Sequence, residues 1–185
     1  MDAIFRRRSI SRLVEPAPTA DELHELLRAA AAAPDHGELR PWKFVVLRGA
    51  AKDRFGEEVF VPAYRARCAD PAPAALEKER TKLGRAPLVV VVAAVRRASD
   101  HIPWEEQYAA TAAAAQNLCL AATAQGYGSM WRTGDQAYDP NVKAALGLRD
   151  EDAIVGFVYL GTVPEGKEKP PRQPDLDGLV EIRES

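Results

Sequence analysis

Three short stretches of this chain carry side chains suited to chemistry. Arg6-Arg7-Arg8-Ser9 sets guanidiniums beside a hydroxyl. Residues 34–42 hold His36, Arg40 and Trp42 in a segment stiffened by Pro34 and Pro41. Ser129-Met130-Trp131-Arg132-Thr133-Gly134 adds hydroxyls, an indole and another guanidinium. Guanidinium forks bind phosphate and carboxylate bidentately, and flat rings pack against planar ligands. No Ser/His/Asp or Cys/His grouping with a recognisable local spacing accompanies these patches. His24, His36 and His101 lack metal-ligand spacing, and Cys68 and Cys119 stand far apart without a C-x-x-C. The residues therefore suit a flat, anionic ligand. They supply no catalytic acid–base set and no metal site.

That is the profile of a flavin enzyme, in which the cofactor carries the redox chemistry and the protein binds and tunes it. Arg7, Arg8 and Ser9 can fork a flavin phosphate, and a cation near the ring stabilises its reduced, anionic form. Each patch also has a plainer reading. Arg6 to Arg8 can be a solvated basic segment. His36 can be a loop residue satisfied by backbone. Trp42 heads a strand and suits core packing, and Trp131 is balanced between packing and ring contact. Arg132 can belong to a surface turn.

The elements around these patches are legible. Thr19-Ala20-Asp21-Glu22 is a capping box, and Leu23, Leu26, Leu27 and Ala30 follow at helical spacing, so a helix runs from there and stops before Pro34. Residues 43–47 are a β-branched and aromatic strand. Residues 51–83 read as helical, with a break at the prolines near 70–73. Residues 87–95 are apolar throughout, as in a strand buried on both faces. Residues 104–125 form the longest helical candidate, Ala-rich on all sides, with Gly126 as its C-cap. A short helix over 139–146 and a buried strand over 154–160 follow. Residues 166–177 read as extended chain, and 179–182 as a last strand that can add to a partner's sheet. The Arg6–Arg8 segment is placed just before a helix. Interspersed strands and helices imply a central sheet covered on both faces.

Composition narrows the class. At 185 residues, 46% hydrophobic and 28% charged, the chain suits one globular domain over 1–185. A formal net charge of -2 gives no general attraction to nucleic acid or anionic membrane. No apolar run is long enough to span a bilayer, and the first residues have no signal-peptide core, so the expected compartment is the cytoplasm.

The motifs also resemble a known family. Arg7-Arg8-Ser9-Ile10-Ser11-Arg12 resembles the R-R-S-x-R opening of FMN-dependent nitroreductases, with one extra residue before Arg12. Residues 33–42 resemble the A-P-S-x-x-N-x-Q-P-W loop, with His36 and Arg40 near the places of its Asn and Gln. Residues 126–134 resemble the G-x-G-x-x-W-R-[ST]-G segment of the short, YdjA-like branch. Order and spacing agree over almost the whole chain.

The resemblance implies an α+β fold: a three-layer αβα sandwich with a mainly antiparallel central sheet. It implies a homodimer with FMN at the interface and the C-terminal tail reaching the partner. By that likeness Arg7, Arg8 and Ser9 hold phosphate and ribityl groups, and His36 and Arg40 come from the other subunit. Trp131, Arg132 and Thr133 border the phosphate or ring. The stretch Ala121, Ala122, Thr123, Ala124, Gln125 and Gly126 matches the part linked to the nicotinamide nucleotide. The activity implied is hydride transfer from NADH or NADPH through FMN to a nitroaromatic, quinone or similar small acceptor, in a ping-pong cycle. Two other readings stay open from the residues: a flavin-binding or flavin-storing protein without turnover, and a non-flavin domain that dimerises through its Ala-rich helix.

Overall fold

Every residue of Leu88–Ala94 is buried, and a strand with no exposed side has to be covered from both faces. The computed structural model, which describes residues 2–184, shows how. Helices Asp2–Arg6 (α1) and Ala20–Ala31 (α2) lead into strand Trp42–Arg48 (β1). Then come Ala50–Phe55 (α3), a wide helical turn at Gly56–Phe60, Val61–Arg67 (α4) and Pro73–Arg80 (α5). Leu88–Ala94 (β2), Trp104–Ala124 (α6), Gly128–Arg132 (β3), Pro140–Ala145 (α7) and Ala153–Gly161 (β4) complete the order.

The four strands lie in the order β1-β2-β4-β3, and every neighbouring pair is antiparallel. One face carries Leu88, Val90, Val92, Val158 and Leu160 against Leu26 and Ala30 of α2 and Ala114, Ala115, Leu118 and Cys119 of α6. The other carries Val89, Val91, Phe157 and Tyr159 against Phe60, Leu83, Val142 and Leu146. The fold is thus an α+β, three-layer αβα arrangement.

Local chemistry places the layers. The Thr19 hydroxyl accepts from the Glu22 amide and Glu22 accepts from the Thr19 amide, which closes the capping box of α2. α6 runs 21 residues and buries one side, along which Ala110, Ala114, Ala115, Leu118 and Ala122 recur. β4 carries a bulge: Val92 pairs with Gly156 and Ala93 with Ile154, which leaves Val155 as the extra residue.

Three differences from the sequence reading bear on the site. Residues 128–132, read only as a chemical patch, form edge strand β3. The arginine segment follows a helix, α1, and does not precede one. Residues 179–182 form no strand within this chain, and Leu179 and Ile182 are each 76% exposed.

Candidate functional site

The segment after α1 is held against edge strand β3. Ser9 makes a parallel bridge to Ser129, and the Ile10 amide donates to the Ser129 carbonyl at 3.1 Å. Alternation along this extended piece separates its side chains. Ile10 enters the core under the α4–α5 layer. Arg7 lies near Cys119 on the α6 side, where its charge draws down a thiol that burial pushes up. The Ser129 hydroxyl is buried there without a hydrogen-bond partner of normal geometry.

Arg8 turns toward a cavity of about 440 Å³, lined also by Arg6, Thr123, Gly126, Tyr127 and Lys169. The structure therefore brings the arginine segment to the end of α6, within the stretch matched to nicotinamide binding. The C-terminal tail closes one side: Lys169 Nζ donates to the Ser9 carbonyl at 2.9 Å, Arg8 donates to the Pro170 carbonyl, and the Arg172 amide donates to the Phe5 carbonyl at 2.8 Å. Of the nicotinamide stretch, Ala122 is buried in the core, Thr123 and Gly126 line the cavity, and Ala124 and Gln125 are exposed. Ala121 is half-buried and packs on the same core.

His36 and Arg40 sit elsewhere. His36 Nδ1 pairs with Glu106 Oε2 at 2.7 Å, at the opposite end of α6, and both side chains are at least half exposed. Cys119 lies thirteen residues further along that helix, about 20 Å at 1.5 Å per residue. Within one chain His36 and Arg7 thus neighbour different parts of α6. The loop between them and β1 is firmly shaped. Gly37 has φ 71°, and a Cβ there would meet Ile102 Cδ1 at 2.6 Å. Glu38 and Arg40 also take positive φ, a costly state for side-chain-bearing residues, and Arg40 N donates to Asp35 Oδ2 at 2.5 Å. The Pro41 carbonyl accepts from Val95 N at 2.7 Å and from Thr111 Oγ1 at 3.2 Å, which fixes the loop to β2 and α6.

The last patch divides along β3. Trp131 faces the α6 side, where its indole donates to the carbonyl of the bulge residue Val155 at 3.1 Å. Arg132 pairs in register with Phe157 and turns to the opposite face, its guanidinium 6.0 Å from the Tyr159 ring. Thr133 is exposed just beyond the strand. Trp42, as the plainer reading had it, packs against the α6-side core.

Sequence reasoning missed the Glu106 partner of His36, 70 positions away, and the tail contacts of Lys169 and Arg172. No spacing rule links such distant residues, and only the fold brings them together. Arg6, Arg8 and Lys169 line the cavity at the end of α6 beside one carboxylate, Glu168, a net positive lining that fits a phosphorylated ligand. Among the described residues no group of three or more metal-binding side chains converges, and no helix is long and apolar enough to cross a membrane.

Comparison with known proteins agrees with this geometry. The nitroreductase family pattern matches residues 4–162. The Escherichia coli (strain K12) protein named "Putative NAD(P)H nitroreductase YdjA" is 40% identical over 162 residues, 88% of this chain and 87% of that one. A nitroreductase-like family protein from Bacillus cereus superposes with a TM-score of 0.82 at 27% identity, over 100% of this chain and 95% of its own. A nitroreductase with bound FMN from Bacteroides fragilis gives a TM-score of 0.73 at 26% identity, over 99% and 97%. From its motifs, its αβα layering and these likenesses together, the chain belongs to the nitroreductase family.

Proposed function

We propose that this protein is an FMN-dependent oxidoreductase that takes reducing equivalents from NADH or NADPH and delivers them to a small nitroaromatic, quinone or similar acceptor. The observation that carries this reading is the docking of the Arg7-Arg8-Ser9 segment on β3, beside the end of α6 and under the tail. Bound FMN supplies the hydride relay. The protein's part is to bind, orient and exclude water. Arg7, Arg8 and Ser9 hold the phosphate and ribityl groups. The backbone of Trp131, Arg132 and Thr133, at an exposed sheet edge, borders the ring. Thr123 and Gly126 offer the nicotinamide nucleotide a place beside it.

The reading requires two chains. Glu106, which pairs with His36, lies about 20 Å along α6 from Cys119, which neighbours Arg7, so His36 and Arg40 serve a partner's flavin across a homodimer. Half-buried Ala112 and Ala113 on the middle of α6, with Gln116 beside them, offer a surface for that contact. Leu176, Leu179, Val180 and Ile182 are each more than half exposed, which suits a tail that lies on the partner. The whole of 1–185 acts as one flavin-binding unit, at work in the cytoplasm.

The visible spectrum of the purified protein, followed by anaerobic titration with NADPH and NADH, tests the proposal. A flavin band that bleaches with one equivalent of reductant supports it. Protein that stays colourless after FMN is added rejects it. Bound flavin that neither coenzyme reduces leaves a flavin-holding protein without turnover in its place.

A further inference from the structure

The first turns of α6 hold the loop that carries His36 and Arg40. Gln107, only 3% exposed, accepts from the Arg97 amide at 2.8 Å and donates to the Arg97 and Ile102 carbonyls at 3.1 and 3.2 Å. That fixes the segment before α6, whose Ile102 fills the space beside Gly37 and whose Arg97 guanidinium donates to the Arg40 carbonyl at 3.4 Å. Positive φ at Gly37, Glu38 and Arg40 persists because these surroundings determine it. His36 is thus carried on a shaped backbone.

Glu106 then orients its ring. The carboxylate meets Nδ1 at 2.7 Å and makes no other side-chain hydrogen bond among the described residues. An ionised carboxylate only accepts, so Nδ1 donates, and Nε2 is left as the ring atom that can meet a ligand. Among the described residues Nε2 has no partner of its own. Glu105, in the same turn, suits the helix dipole equally but does not touch the ring, so the dipole alone does not account for the pair. A ring held in place beforehand gives up little rotamer freedom when a ligand arrives.

We propose that Glu106 is a positioning residue, which locks the His36 imidazole so that Nε2, and not Nδ1, meets the FMN held by the other subunit. The proposal rests on the reading in which His36 serves a partner's flavin, and it adds a residue that no motif marked.

The test measures FMN dissociation constants by flavin fluorescence on the full chain, at concentrations where size exclusion shows a dimer. Glu106→Ala weakens FMN binding about threefold to tenfold, the effect of one hydrogen bond. Glu106→Gln, whose side-chain carbonyl still accepts from Nδ1, recovers most of the loss. Glu105→Ala, which removes the same charge from the same turn, has no effect. On a His36→Ala background Glu106→Ala changes nothing further, because it acts through the ring. The atom is checked with amides: His36→Gln, whose amide nitrogen comes near the place of Nε2, binds FMN more tightly than His36→Asn, which matches Nδ1. Glu106→Ala protein that binds FMN as tightly as the unaltered chain overturns the proposal. So does an equal loss in Glu105→Ala, or a loss from Glu106→Ala that persists without His36. Unaltered dimer that takes up no FMN refutes the flavin reading itself, and this proposal with it.

Discussion

The Trp131 indole occupies the space that Gly156 leaves empty: a Cβ at position 156 would stand 2.1 Å from indole Nε1 and 2.9 Å from the Arg132 carbonyl. The glycine sits beside the β4 bulge, whose extra residue Val155 gives its carbonyl to the same indole. Trp131 therefore ties the edge strand to its neighbour at the point where the ladder is irregular.

Gly156→Ala forces a rigid ring or a backbone out of place, and neither has a flexible end to yield. The expected loss of stability is about 1–3 kcal/mol, of the size seen for overpacked cores. Urea denaturation followed by tryptophan fluorescence reads both the loss and the displaced indole. A midpoint equal to that of the unaltered protein removes the packing role given to Gly156.

Arg7 and Arg132 make opposite predictions for the flavin. Arg7→Ala takes away a charged donor on the α6 side and lowers FMN affinity about tenfold or more, the effect of one charge-assisted hydrogen bond. Arg132→Ala changes it little, because that side chain lies on the other face of the sheet. Equilibrium dialysis with flavin fluorescence separates the two. Equal losses in both variants would mean that one phosphate is shared across the strand.

A flavin site completed by a partner's His36 depends on protein concentration. On dilution through the dimer dissociation range, FMN is released in step with the monomer, and His36→Ala releases it at higher protein concentration. Size exclusion run alongside flavin fluorescence follows both species. Monomer that keeps its FMN contradicts the two-chain site.

Asp152 gives a pH signature. Burial alone would raise its pKa, but hydrogen bonds from the Arg149 side chain and from the Arg149 and Arg96 amides outweigh that and hold it below the usual value. The amide bonds measure 2.8 and 2.9 Å. A depressed folded-state pKa stabilises the protein above the unfolded-state value, and that contribution is lost as pH falls through the folded one. Asp152→Asn is thus expected to cost about 1–3 kcal/mol at neutral pH, with the gap closing below about pH 4. Denaturant midpoints of both proteins at pH 7 and pH 3 decide it, and a gap of constant size counts against the charge.

The elements that position the site were legible where one residue pattern had one physical meaning. The Thr19–Glu22 box, the unbroken apolar run of β2 and the Ala-rich length of α6 each imply a single structure, and each appears as read. β3 was not legible. Gly-Ser-Met-Trp-Arg has no clean alternation, and its strand state is imposed by pairing with β4 on one side and Ser9 on the other. The turn Gly56–Phe60 was equally hidden: a Cβ at Gly56 would stand 2.1 Å from the carbonyl oxygen of Arg80, a neighbour 24 positions away that no local pattern announces. Within the candidate site, residue types pointed to a phosphate. The sequence could not say that Arg132 faces away from Arg7, because that follows from strand register.

The contacts of Arg172 with Phe5, and of Lys169 with Ser9, fasten the beginning and the end of the polypeptide to one another. A protease cut within residues 166–172 would therefore do more than shorten the chain: it would unclasp the leading arginines and let the cavity beside Arg8 open from its rim.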